Sequence, residues 1–293
     1  MNSNVLALLQ RRAAEAEIRL ETRNDVRPDE FLFLPGLDDW LRAMPNSIAR
    51  SSLFAPIARG KPIHHEQVVL VSRSDAVITY TGYQLDEAKA DAWMQLMYEA
   101  RCVPLGRPVT INRAAFLRAI GRQGCGRDYT WLKGTMLAFM TATITIEVKK
   151  SDGSRKYQIG GGMRAFHMLE SFEYDAESES YSFIIDPRWK GAFGGNEHAL
   201  IDWKKRRHIA QNHDMAKALQ RLVATSSDQV QRFALDWLKE KLRYGSPMRK
   251  FRSALKNAME ELDRVEVITC GRIELSTRGK LQVVWTKLGK TRN

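Results

Sequence analysis

The chain has 293 residues, of which 44% are hydrophobic, and it carries a formal net charge of +12. This length and apolar content allow two domains with packed cores and exclude a wholly disordered chain. Its three widely spaced cysteines do not suggest a disulfide framework, and no apolar run approaches the roughly 20 residues of a spanning helix, so we expect a soluble cytoplasmic protein.

The basic excess lies in the last third of the chain. Residues 1–200 hold 25 Lys and Arg against 24 Asp and Glu, whereas residues 201–293 hold 21 against 10. A merely solvated surface or a membrane-surface patch are the alternatives, but no interfacial amphipathic helix accompanies these charges. The distribution therefore indicates a nucleic-acid partner for the C-terminal part.

The N-terminal part, 1–64, is predicted to be a helix followed by a flexible lead-in. Apolar residues recur at helical spacing over 4–23, and proline punctuates the segment that follows. Between them, residues 31–34 are four consecutive apolar side chains. This tetrad either packs on the neighbouring domain or docks on a partner as a short linear motif.

A first winged-helix domain is predicted for 65–187. Its elements are strands at 68–71 and 77–80, helices at 85–102, 110–120 and 128–142, and a hairpin at 143–159 whose turn is 149–153. Asn112 is the expected N-cap of the second helix. Two more strands, 165–174 and 181–185, are joined by an acidic turn. Three helices followed by a hairpin is the order of a winged helix.

The order repeats in 188–293, where a second winged-helix domain is predicted. Helices are expected at 214–224, 228–243 and 247–263, with strands at 265–269 and 281–286. Ser246 at the N-cap and Pro247 at the first helical position predict the start of the third helix. The fold class is therefore α+β, with two tandem winged helices and an N-terminal helical extension.

The third helices of the two units share a core pattern but differ on the outside. An offset of 119 residues brings their apolar positions into register, Leu132 onto Phe251 and Met136 onto Leu255. The outer face of the second copy carries hydrogen-bonding groups, whereas the first copy has Gly134, Leu137 and Ala138. We therefore expect the second unit to be the main reader of base edges, where Arg and Lys recognise guanine and Asn recognises adenine.

The candidate DNA-binding residues follow from this comparison. The reader helix contributes Arg249, Lys250, Arg252, Ser253, Lys256 and Asn257. Phosphate contacts are predicted from a basic run and from the second wing, which together supply Lys204, Lys205, Arg206, Arg207, Arg272, Arg278 and Lys280. The first unit is expected either to add flanking phosphate contacts, with Lys133, Lys149 and Lys150 available, or to self-associate through its more apolar surface.

Five blocks of this sequence resemble the TrfA family of plasmid replication initiators. They are MPNSIARSSLFAPIARG at 44–60, VSRSDAVITYTG at 71–82, DMAKALQRL at 214–222, SPMRKFR at 246–252 and STRGK at 276–280. The resemblance covers about residues 44–288, and blocks of this length are more specific than a short motif.

The resemblance implies two winged helices that bind directly repeated origin sites, called iterons, as monomers. It further implies opening of adjacent AT-rich DNA, recruitment of the host helicase with the initiator DnaA, and an inactive homodimer that limits copy number. Family members also carry a sliding-clamp-binding motif of Gln-Leu-Ser/Asp-Leu-Phe type. In this chain, residues 29–33 match that motif only at Leu32 and Phe33 and lack the glutamine.

No catalytic constellation, cofactor site or metal site is predicted, so we expect a binding protein and not an enzyme. His64 and His65 are adjacent and lack the spacing of a metal-binding pair, and the glycine-rich 121–126 lacks the Gly-Lys-Ser/Thr ending of a P-loop. The alternatives are a winged-helix transcriptional regulator and, in a different class, an origin nickase or relaxase. DNA cleavage would identify the nickase, and duplex opening separates an initiator from a regulator.

Overall fold

A computed structural model describes residues 34, 37–57, 63–150, 152–159, 166–194 and 197–289. Residues Phe33–Asn293 belong to one compact unit. The predicted N-terminal helix, Leu32 and Phe33 lie outside the described residues. Of the helices that are described, none is both long and apolar enough to cross a bilayer.

The elements follow one another in two similar series. The first comprises β1 (Leu41–Pro45), α1 (Asn46–Ala49), β2 (His64–Val69), β3 (Ala76–Tyr83), α2 (Glu87–Glu99), β4 (Pro108–Asn112), α3 (Arg113–Ala119), α4 (Gly126–Thr141), β5 (Thr143–Lys149), β6 (Arg155–Ile159), β7 (Ser171–Asp175) and β8 (Ser180–Ile184). The second comprises α5 (Trp189–Phe193), β9 (His198–Asp202), α6 (Trp203–His208), α7 (Asp214–Ala224), β10 (Val230–Ala234), α8 (Leu235–Lys241), α9 (Met248–Arg264), β11 (Ile268–Leu275) and β12 (Leu281–Lys287).

Both series contain a winged helix, which confirms the predicted fold class. Each has a helix, a strand, two helices and a hairpin, and the three strands are ordered β4-β8-β7 in the first and β10-β12-β11 in the second. The starts of β4 and β10, of α3 and α8, and of α4 and α9 are each 122 residues apart. The predicted offset of 119 is three residues short, which is nearly one helical turn, so the apolar faces still superimpose.

Two predicted helices begin too early. The sequence pattern assigns residues 110–112 and 228–234 to helices. In the structure, residues 110–112 belong to strand β4, residues 230–234 form strand β10, and residues 228–229 precede it. In β4 the side chains alternate between exposed and buried, with Val109 and Ile111 inward. Strands β4 and β10 each pair with the inner strand of a hairpin and so complete a three-stranded sheet. The third strand adds stability, since an isolated two-stranded hairpin is only marginally stable. Asn112 caps α3 as predicted, accepting a hydrogen bond from the backbone N–H of Ala115.

The first wing is not the hairpin that the sequence suggests. Strands β5 and β6 belong to a separate four-stranded sheet of order β2-β3-β5-β6, in which Ile146 of β5 lies opposite Ile78 of β3. The hairpin that pairs with β4, and so corresponds to the second wing, is β7–β8. Pairing with a distant strand decides which hairpin becomes the wing, and the local pattern of 143–159 does not contain that information.

The lead-in is structured over 37–57. Strand β1 is buried along its whole length and pairs antiparallel with β9, from Leu41 opposite Asp202 to Pro45 opposite His198. A single short helix, Asn46–Ala49, follows β1 directly. The chain N-terminal to the first winged helix is thereby hydrogen-bonded to the segment that enters the second.

A buried cluster of ion pairs joins the two series. Glu87 and Asp91 project from α2, Arg206 from α6, and Arg221 and Lys217 from α7. Arg206 Nη2 lies 3.0 Å from Glu87 Oε2, and its Nε lies 2.6 Å from Asp91 Oδ1. Arg221 pairs with the other Glu87 oxygen, and Lys217 Nζ lies 2.7 Å from Asp91 Oδ2. Each carboxylate is therefore shared by two cations.

Burial alone raises the pKa of the Glu87 carboxyl, but attraction by Arg221 and Arg206 outweighs it and holds the pKa below its ordinary value of 4.5. Burial also raises the pKa of the Asp91 carboxyl, but the attraction of Arg206 and Lys217 is stronger, so this pKa is lowered as well. Because folding lowers the pKa of both carboxyl groups, the cluster stabilises the fold fully at any pH above the pKa values that these groups have in the unfolded chain. That stabilisation is lost as the pH falls through the folded values.

Replacing Glu87 with Gln is expected to lower the free energy of unfolding by about 3–5 kcal/mol, because the buried charges of Arg206 and Arg221 lose their shared counter-ion. Urea unfolding at pH 7 measures the loss, with the exposed Glu177→Gln as a control near zero. Below about pH 4.5 the variant should lose less stability than the wild type as acid is added. Equal acid sensitivity would contradict the role assigned to Glu87.

Lys241, at the end of α8, is fully buried, and within the described residues its Nζ has no hydrogen-bond partner. Burial, and to a smaller extent nearby Arg221, lower the pKa of its ammonium group to about 7, while Glu87 opposes the shift. Because the unfolded pKa is near 10.5, folding at neutral pH favours release of this proton. The free-energy cost that this proton release adds to folding becomes smaller as the pH rises toward the unfolded pKa.

Lys241→Met should therefore raise the free energy of unfolding at pH 7, by about 1–3 kcal/mol, because it removes an unpaired polar group at similar volume. The advantage over wild type should narrow between pH 7 and 10. Urea midpoints across that range provide the measurement. An advantage independent of pH would show that Lys241 packs without titrating on folding.

Candidate nucleic-acid interface

Helix α9 is held with one apolar stripe inward and a polar face outward. Phe251, Leu255, Ala258 and Leu262 recur at helical spacing and are buried in the core of the second series. The predicted N-cap is displaced by one residue, since Pro247 occupies it and makes no side-chain cap. The six predicted reader residues are all exposed: Arg249, Lys250, Arg252, Ser253, Lys256 and Asn257.

The wing β11–β12 lies beside this helix and encloses a groove with it. The groove has a volume of about 450 Å³ and is lined by Arg249, Arg252, Ser253, Lys256, Met259, Gly271, Arg272 and Ile273. Five of these residues are predicted from the sequence, and the structure brings them together. Met259, Gly271 and Ile273 were missed as site residues because they contribute the floor and carry no charge.

The close approach of the wing depends on a bulge in β11. The register with β12 shifts between Thr269 and Arg272, and Cys270 adopts a φ of +54°. Gly271 then lies directly over the helix, where a Cβ atom would come within 3.1 Å of the Met259 sulfur. An isolated glycine in a strand pattern signals such a contact. Arg272 is oriented along the strand by Glu274, 2.8 Å from its Nε.

The turn of the second wing presents the other two predicted cations. Arg278 and Lys280 are exposed on either side of Gly279, which has a φ of +70°. The turn is closed by the backbone N–H of Ser276 donating to the Lys280 carbonyl at 2.8 Å. These charges extend the basic surface beyond the groove.

The basic run of 204–207 divides in the structure. Arg206 is a wrong prediction as a phosphate contact, because it is 1% exposed and committed to Glu87 and Asp91. Lys205 donates from Nζ to the Glu266 carbonyl at 2.7 Å. Lys204 and Arg207 are exposed. The run forms helix α6, so its successive residues point in different directions, and only some of them face solvent.

The first series carries a different surface at the corresponding place. The β7–β8 wing includes Glu173, Asp175, Glu177 and Glu179, and no Lys or Arg lies in 170–180. On α4, Leu137 is 45% exposed. Phosphate groups are repelled by such a wing, which favours the second series as the binding surface.

The three lysines predicted in the first series are exposed but dispersed. Lys133 is on α4, whereas Lys149 ends β5 and Lys150 follows it in the turn of the separate four-stranded sheet. The structure does not bring them into a groove of the kind that α9 and its wing form.

The histidines at 64 and 65 have structural environments. His65 is buried and its Nε2 lies 3.0 Å from Gln84 Oε1, while the His64 ring packs edge-on against Tyr83. Among the described residues, no group of three or more His, Cys, Asp or Glu is arranged to hold a metal ion.

Comparison with known sequences points to one family. The family model described as TrfA protein matches residues 17–271. The plasmid replication initiator protein TrfA of Escherichia coli is 28% identical over 182 residues, which cover 59% of this chain and 44% of that protein. The match thus spans less than half of the length of this curated relative.

Comparison with solved structures supports the fold. The Pi initiator protein, crystallised in complex with iteron DNA, superimposes with a TM-score of 0.55 at 10% identity, covering 88% of this chain and all of that one. Domains 2 and 3 of RctB give a TM-score of 0.50 at 10% identity, covering 80% and 94%. At this identity the likeness establishes the tandem arrangement of the fold alone.

Gly271→Ala is expected to destabilise the protein by about 1–3 kcal/mol, because the added Cβ pushes the wing from Met259. Thermal unfolding measures the change, and Gly245→Ala, where no atom lies within 4 Å of the new Cβ, is the matched control. Adding Met259→Ala should restore part of what Gly271→Ala removes. Strict additivity of the two substitutions would contradict the contact.

Proposed function

The chain belongs to the TrfA family, and from that premise we propose that it is a plasmid replication initiator that binds directly repeated origin sites through α9 and its wing. The groove between these elements carries the proposal. Its lining has four cations, Arg249, Arg252, Lys256 and Arg272, around one concave space. An exposed helix flanked by a basic hairpin suits the major groove and the adjacent phosphates of a duplex.

The connection between the two winged helices supports binding to one extended site. The ion cluster around Glu87 is accompanied by Arg50, whose Nε donates to Thr225 Oγ1 at 2.7 Å, and by Trp237, whose Nε1 donates to the Ser72 carbonyl at 3.3 Å. The halves are thus hydrogen-bonded at several separate points. A rigid monomer with a fixed spacing fits repeats arranged head to tail.

Further steps of initiation belong to the same proposal. The bound protein opens adjacent AT-rich DNA, recruits the host helicase with DnaA, and is inactivated as a homodimer, as the family resemblance implies. Contact with the sliding clamp would be made through Leu32 and Phe33, which match the family's motif in a segment that lacks its glutamine. The protein acts by binding and without catalysing a reaction of its own.

A gel-shift titration on tandem repeats from the plasmid's origin tests the binding step. Each repeat should add one retarded complex, and the affinity should fall steeply with salt as counterions are released. A shuffled duplex of equal length and composition is the control, and the solution mass is measured in parallel. Equal affinity for both duplexes would overturn the proposal of site-specific binding.

Permanganate reactivity in the AT-rich segment tests initiation against repression. Thymines should become reactive when the protein binds; their protection with host factors present favours the transcriptional regulator. Cleavage of supercoiled origin DNA in divalent metal, abolished by a Tyr substitution, would establish the nickase instead.

A further inference from the structure

The exposed residues of α9 fall into two rows when the wing is taken into account. Arg249, Arg252, Ser253 and Lys256 line the groove beside the wing. Lys250 and Asn257 are exposed but do not line it. Because these two are seven residues apart, they lie on one stripe, two helical turns from each other.

The groove has an unbalanced positive charge. Arg272 is paired with Glu274 at 2.8 Å, and Lys256 lies 4.0 Å from Glu260. For Arg249 and Arg252 no side-chain hydrogen bond or ion pair occurs within the described residues. Four cations around about 450 Å³, with two carboxylates to offset them, leave a net positive charge that attracts an anion.

The shape and the charge of this space select a phosphodiester. Base edges offer only partial charges, whereas a backbone phosphate offers a full charge and oxygen acceptors that suit Arg. Gly271 leaves the floor without a side chain, and Met259 and Ile273 complete an apolar base. A sugar–phosphate strand is a ridge with charged oxygens and apolar sugar carbons, and it matches this lining.

The outer row has the properties that base recognition requires. Neither Lys250 nor Asn257 forms a side-chain hydrogen bond or ion pair within the described part of the chain, so their donors are free for a ligand. Asn addresses adenine with two hydrogen bonds, and Lys addresses guanine. Seven helical residues span about 10.5 Å, or roughly three base steps of 3.4 Å.

We propose that Arg249, Arg252, Lys256 and Arg272 clamp one backbone phosphate segment of the duplex, while Lys250 and Asn257 read bases about three steps apart. This assignment rests on the proposed function and moves Arg249, Arg252 and Lys256 from the base-reading role that the sequence suggests to the phosphate clamp. It makes Asn257 the specificity-determining residue for an adenine.

Selection from a randomised duplex library separates the two roles. Wild type, Asn257→Ala and Arg252→Ala are each used to enrich bound sequences, and circular dichroism checks that α9 is retained. The Asn257→Ala protein should select a sequence relaxed at one adenine and bind the wild-type sequence roughly 5- to 150-fold more weakly. Its salt dependence should match that of wild type.

Arg252→Ala should select the wild-type sequence unchanged. Its affinity should fall by the same factor on selected and random duplexes, and its log–log salt slope should decrease by about one. Arg249→Ala should behave in the same way. Replacing the relaxed adenine with 7-deazaadenine should weaken wild type and leave Asn257→Ala unaffected.

A reversed pattern, in which Arg252→Ala alters the selected sequence and Asn257→Ala does not, would overturn the assignment. Failure of the proposed function looks different, because wild type itself would then enrich no sequence. An unaltered selection by both variants, with wild type selective, also contradicts the division between the clamp and the outer row.

Discussion

The architecture depends on a buried charge cluster that neither winged helix can complete alone. Glu87 and Asp91 come from the first series, and the three cations that neutralise them come from the second. Buried charges are costly unless each is paired. Separating the two series would leave all five charged side chains either exposed to solvent or buried without a partner. The cluster therefore fixes the orientation of α9 relative to the first winged helix, with β1–β9 pairing as a second constraint.

Two copies of one fold carry wings of opposite charge. Both series hold a hairpin against a third strand and a long third helix, but the second wing carries Arg272, Arg278 and Lys280 where the first carries four carboxylates. The core positions that build the fold tolerate this divergence because they point the other way. The second copy therefore presents a basic wing, and the first presents an acidic one.

The sequence predicts the parts of this structure that local patterns determine. Helix α9 is predicted within one residue at each end, because its apolar stripe and Pro247 are local signals. Arg206 is misassigned because a basic run reads as a solvated surface unless its distant partners are known. The first wing is likewise misplaced, since strand β4 selects β8 and not β5 through pairing over more than 60 residues. The groove floor at Gly271 escapes prediction for a different reason, because a glycine carries no charge that marks it as a site residue.

The central claim is that the second copy supplies the main DNA-binding surface. It is tested most directly by comparing two triple variants, Arg272→Ser/Arg278→Ser/Lys280→Ser and Lys133→Ser/Lys149→Ser/Lys150→Ser, for the salt dependence of binding to origin DNA. The first should lose up to about three units of log–log slope and most of the affinity, while the second retains nearly all of both. A larger loss in the second variant would contradict the account.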